Sequence, residues 1–179
     1  MRQNVKTVSP MSNEGRNAYV VEHLTAALLE RLREKPLEDV SVSELCEKAG
    51  VGRASFYRNF GGKEDILRSY IGHIFHEWTD RHDGGEQPVR DQIRTLFAHF
   101  EAHRDFYVLL NGRGLVPLLK DAVIGVFDLK AEDPAAVAYA KAFVAYSFYG
   151  WIETWFRRGM RESAEELAAL FPAGSEGEG

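Results

Sequence analysis

Arg53, Ser55, Tyr57, Arg58 and Lys63 crowd into one short stretch, and each is of a type that binds nucleic acid. An arginine presents two parallel N–H groups that fit O6 and N7 of guanine, so Arg53 or Arg58 can read a base. Hydroxyls such as those of Ser55 and Tyr57 suit phosphate oxygens instead. Ala54 and Asn59 complete the candidate surface, and Ser41 adds a hydroxyl upstream. Lys63 stands where a helix is expected to begin, and a cation there is disfavoured by roughly 0.3–1 kcal/mol. A phosphate at that helix start reverses the sign, because it meets the lysine and the free backbone N–H groups together.

These residues need helices to hold them. Ser41-x-x-Glu44 reads as a capping box that starts a helix at Val42, with Leu45, Cys46 and Ala49 on its inner face. Gly50 follows, where the chain must turn with positive φ. A second helix is expected over residues 53–59, burying Phe56 and Phe60 and leaving Arg53, Ala54, Ser55, Tyr57 and Arg58 outward or at the edge. Gly61 and Gly62 end it and Lys63 opens the next. Two short helices joined by a glycine turn form a helix-turn-helix, whose second helix enters the DNA major groove.

The stretch resembles the DNA-binding domain of the TetR/AcrR family of bacterial transcriptional regulators. The resemblance lies in Ala49-Gly50-Val51, Ser55-Phe56-Tyr57-Arg58-Asn59-Phe60 and Lys63-Glu64-Asp65-Ile66-Leu67. It implies a homeodomain-like head, phosphate contacts from Tyr57 and Lys63, and double-stranded DNA as partner. The chain departs from the family's usual residues at Gly52, Asn59 and Gly61. Further cues in the C-terminal half, Phe106-Tyr107-x-Leu109-Leu110, Tyr149-Gly150-Trp151-Ile152-x-x-Trp155 and Ser163-x-x-Glu166-Leu167, resemble one C-terminal type of the same family.

Other chemistries find few residues. His99 and His103 stand four apart on an expected helix, but no catalytic glutamate accompanies them, so they read as solvated, as do His73 and His76. Cys46 is expected to be a buried, inert thiol. There is no glycine-rich phosphate loop and no nucleophile elbow. No enzyme, metal or cofactor is expected.

With 179 residues, 45% hydrophobic and 27% charged, the composition is that of a globular protein. The single cysteine excludes an intrachain disulfide and fits a reducing, cytoplasmic setting. No apolar run reaches membrane-spanning length, so no membrane association is expected, and the N-terminus lacks a signal-peptide core. The net charge of −5 is unevenly spread. Residues 1–63 carry ten basic and eight acidic residues, a net of +2, and the remainder carries −7. A mildly basic head on an acidic body suits DNA binding by the head alone.

Along the chain, residues 1–12 read as a disordered arm in which Arg2 and Lys6 could touch phosphates. A first helix is expected over 13–33 on a stripe of Val21, Leu24, Leu28 and Leu32, stopped by Lys35-Pro36. Residues 13–62 form the helix-turn-helix domain and 63–171 a helical regulatory and dimerisation domain, which 63–81 link to the head. Residues 82–88 read as a loop. The body is expected to hold helices over 89–103, one capped by Asp105, one over 115–129, and one running to Arg158 with Asp133 as N-cap and Pro134 as its first residue. A capping box at Ser163 and Glu166 starts a last helix reaching Phe171, and 172–179 read as a disordered tail. The fold class is therefore all-α.

Phe97, Phe100, Phe106, Tyr107, Phe127, Phe143 and Tyr146 are candidates to line a small-molecule effector pocket. Tyr149, Trp151, Ile152, Trp155 and Phe156 surround one helix, and a helix apolar on all sides must be covered on all sides. A second copy is expected to supply that cover through the last two helices. The combined reading is a homodimeric regulator, a repressor, on a palindromic operator. The departures at Gly52, Asn59 and Gly61 and the acidic charge leave open a second reading, a helical protein-interaction module that kept the fold without specific DNA reading.

Overall fold

The structure, a computed structural model, describes residues 13–82 and 89–170. The expected arm, most of the 82–88 loop, Phe171 and the C-terminal tail lie outside the described residues. Among the described residues there is no strand. The chain divides into two compact units, 1–67 and 68–179.

In the first unit, α1 (Asn13–Glu34) buries Leu24, Leu28 and Leu32 completely. Each such burial contributes about 1.5–3 kcal/mol. Pro36 breaks the helix, and a short 3-10 turn, Leu37–Asp39, carries the chain to α2 (Val42–Ala49). Helices α2 and α3 (Arg53–Asn59) pack on α1 and on each other around Leu45, Cys46 and Phe56. Burial pushes the Cys46 thiol pKa up, so it stays protonated as expected. α4 (Lys63–His82) begins in this unit, where Ile66 and Leu67 are fully buried, and its later turns belong to the second.

In the second unit, α5 (Val89–Ala102) packs against α9 (Ala164–Leu170) and α6 (Arg104–Gly112). α7 (Leu119–Gly125) packs against α8 (Ala135–Arg157), which also meets α6. The Ser163–Glu166 capping box is present, with Ser163 N–H donating to Glu166 Oε2 over 2.7 Å and Glu166 N–H to Ser163 Oγ over 3.2 Å.

Four expectations in this unit are corrected. Asp105 lies within the first turn of α6, and His103 occupies the cap without a side-chain bond. The apolar run 115–129 is not one helix. Pro117 sits in a 3-10 turn, Val116–Leu118, and α7 stops at Gly125 before Asp128 turns with φ 46°. Pro134, not Asp133, is the N-cap of α8, because the Asp133 carboxylate turns to Lys141 Nζ at 2.8 Å. His99 is not solvated. It is 8% exposed, its Nε2 lies 3.1 Å from the Tyr107 hydroxyl, and its ring meets Phe75 and Phe100 edge-on. Burial holds the Tyr107 phenol neutral by pushing its pKa up. His73 and His76 are exposed.

Candidate nucleic-acid interface

The interface is built by two local devices. Ser41 Oγ accepts the Glu44 N–H over 3.1 Å, and Glu44 Oε2 accepts the Ser41 N–H over 3.1 Å, closing the capping box of α2. Glu44 also accepts from Lys35 Nζ, and this bond, with that from the Ser41 backbone, holds its carboxyl down at about 2. At the other end of α2, Gly50 turns with φ 64°. Val51 N–H donates to Cys46 O and Gly50 N–H to Glu47 O, at 2.9 and 3.2 Å. This pair of bonds is a Schellman closure, which needs the left-handed residue that glycine supplies without strain.

The turn sets α3 with Phe56 fully buried, Phe60 6% exposed, and the opposite side open. Arg53, Ala54, Tyr57 and Arg58 are exposed, and Ser55 and Asn59 are half-buried. Tyr57 is 55% exposed and rests its ring edge-on against Phe56, 5.1 Å between centroids. The Asn59 amide donates to Ser55 O over 2.8 Å, so that side chain is partly committed to its own helix. Among the described residues neither Arg53 nor Arg58 pairs with a carboxylate. In contrast Arg31, Lys35 and Lys48 are held by Glu34, Glu44 and Glu30.

Lys63 departs from the expected clamp. Its ammonium donates to the carbonyls of Leu37 at 2.6 Å, Val40 at 2.5 Å and Glu38 at 3.3 Å. An ammonium has three N–H groups, and all three are engaged. The lysine therefore staples the α1–α2 connection to the start of α4 instead of projecting a free charge. The N–H of Gly62, next to it, is taken by Asp65 Oδ2 at 3.0 Å.

Residues 24–70 match the bacterial regulatory proteins of the tetR family, and residues 88–173 match a transcriptional regulator C-terminal region. The chain belongs to the TetR family. A relative, the uncharacterized HTH-type transcriptional regulator YerO of Bacillus subtilis (strain 168), is 26% identical over 105 residues. That match spans 54% of this chain and 36% of YerO. Lin0861 from Listeria innocua, known as a crystal structure, shares the fold with a TM-score of 0.71 over 94% of this chain and 95% of its own, at 16% identity.

The body of this TetR-family chain treats the expected pocket residues unequally. Phe100, Phe106 and Tyr107 are buried core. Phe100 meets Trp155 and Phe156 edge-on, and Tyr107 stacks on Phe156. Neighbouring rings pack beside them. Phe127 tilts against Phe148. Tyr146 is 51% exposed, with Lys120 Nζ 5.3 Å from its ring centroid. Phe97 and Phe143 do border a groove of about 390 Å³ between α5 and α8, together with Gln92, Val144, Ser147 and Trp151.

The expected interface is corrected too. Ile152, Trp155 and Phe156 are at most 1% exposed within the single chain. The Trp155 indole donates to Glu162 O over 2.9 Å, so this end of α8 is covered by its own chain. Tyr149 and Trp151 are half-buried. The open stripe lies further toward the start of α8, at Tyr139, Phe143 and Tyr146, which are 78, 76 and 51% exposed. Their i, i+4, i+7 spacing was available in the sequence. Among the described residues no group of histidine, cysteine, aspartate and glutamate could hold a metal ion, and no helix is long and apolar enough to cross a membrane.

Proposed function

We propose that this chain is a sequence-specific DNA-binding transcriptional regulator, a repressor that occupies a palindromic operator as a homodimer. The observation that carries the reading is the division of α3. Its inner face is anchored by Phe56 and Phe60, and its outer face presents Arg53 and Arg58 without carboxylate partners among the described residues. In that reading α3 lies in the major groove, Arg53 and Arg58 reach base edges, and Ser41, Ser55 and Tyr57 take phosphates. Lys63 serves by fixing the entry to α2.

A second copy covers the Tyr139, Phe143 and Tyr146 stripe, and the twofold symmetry matches the operator's palindrome. Two recognition helices then meet successive major grooves about 34–36 Å apart. An apolar effector with a hydrogen-bonding group fits the groove beside Phe97, Phe143, Gln92 and Ser147. It acts through α4, which belongs to both units, by favouring a state in which the two heads no longer fit one operator. The test is a selection from sheared genomic DNA with the purified full chain. Recovery of one palindromic site is expected. Recovery of unrelated fragments, with binding erased by moderate salt, sinks the proposal in favour of an interaction module.

A further inference from the structure

Beside α3 the first unit holds an open cleft of about 730 Å³. One wall carries Arg16 and Asn17 from the exposed side of α1, and the other carries Ser55, Arg58 and Asn59 of α3. The turn containing Gly50 and Gly52 borders it between them. Among its described lining residues none is acidic, and a guanidinium belongs to each wall. Gly52 has φ −75°, a conformation open to any residue, and a Cβ added there would meet nothing within 4 Å. Neither backbone nor crowding demands glycine at that position, so its missing side chain simply leaves the main chain accessible from the cleft. Arg16 and Asn17 precede residues 24–70, the segment matched to the tetR regulators.

We infer that the cleft seats the sugar–phosphate backbone of duplex DNA next to the bases read by α3, with Arg16 and Asn17 as phosphate-binding residues. The inference rests on the DNA-binding function proposed above. A phosphodiester carries one negative charge and acceptor oxygens that a guanidinium grips with parallel N–H bonds. The Asn17 amide adds a neutral donor of the kind that commonly contacts phosphate. The open shape separates this ligand from a small molecule. Small-molecule sites enclose most of their ligand's surface. A duplex strand enters and leaves such a cleft, and its neighbouring nucleotides continue under α3 by way of the shared Ser55, Arg58 and Asn59 wall.

The test uses the full chain with Arg16→Ala and, separately, Asn17→Glu. Both positions are exposed on a helix, and circular dichroism checks that each variant folds. The probes are the palindromic duplex recovered by genomic selection and a scrambled duplex of equal length. Arg16→Ala is expected to weaken binding to both duplexes by the same several-fold factor. The slope of log affinity against log salt should become shallower by about 0.9, the value for one phosphate no longer neutralised. Asn17→Glu, which sets a negative charge against the strand, should weaken both further. Ethylation interference on the operator should lose its signal at the flanking phosphates in the Arg16→Ala complex. Wild-type affinity and slope in both folded variants overturn the cleft assignment while DNA binding by α3 stands. If the wild-type chain itself selects no operator, the DNA-binding function fails and this inference goes with it.

Discussion

The Lys63 ammonium donates to the Val40 carbonyl over 2.5 Å, across 23 residues of sequence. Two further carbonyls, those of Leu37 and Glu38, share the same nitrogen. Val40 immediately precedes the Ser41 cap, so the bond fixes where α2 begins relative to the first residue of α4. Replacing Lys63 with Met keeps the aliphatic stem and removes the donors. The expected cost in head stability is about 1–3 kcal/mol, read by chemical denaturation. DNA binding should weaken without any change in salt slope. A slope shallower by about 0.9 would restore the phosphate clamp.

The capping box gives a pH signature. Lys35 and the Ser41 backbone depress the Glu44 carboxyl in the folded chain from 4.5 to about 2. A depressed folded value means that the ionised form stabilises the fold at pH above 4.5. That contribution is lost as pH falls through 4.5 toward 2. Glu44→Gln should therefore be less stable than the wild type near neutrality, and the gap should close over that acid range. A gap constant with pH would show that the charge contributes nothing.

The exposed stripe of α8 makes a prediction about assembly. Tyr139→Glu combined with Phe143→Ser alters side chains that touch little within the chain, so protomer stability should shift by only about 0.5 kcal/mol per site. Sedimentation should show dimer converting to monomer. A double variant that sediments as the wild type does removes the stripe from the proposed interface.

Trp155 should behave in the opposite way. It is 1% exposed, stands edge-on to Phe97, and bonds Glu162 O. Trp155→Ala should cost about 3–5 kcal/mol as a cavity forms. The denaturation midpoint checks this, and a loss below about 1 kcal/mol would mean that the indole is not tightly packed.

The head was legible because its signals are local. Ser41 and Glu44 are three residues apart, Gly50 marks a left-handed turn, and Phe56 and Phe60 share a helix face. The role of Lys63 was hidden because its partners lie far upstream and are backbone atoms, which carry no side-chain pattern. In the body, periodicity showed that Ile152, Trp155 and Phe156 must be covered but could not say by which chain. The run 115–129 is apolar enough for one helix, yet Pro117 and the turn at Asp128 cut it short. Arg16 and Asn17 carry no apolar pattern, so only the cleft beside α3 brought them into view.

The claim that α3 reads bases is tested most directly by the ratio of affinities for operator and scrambled duplex, measured in the wild type and in Arg53→Ala and Arg58→Ala. At least one variant should lose roughly 1–3 kcal/mol of that discrimination while still binding the scrambled duplex. Discrimination equal to the wild type in both variants would contradict base reading by α3.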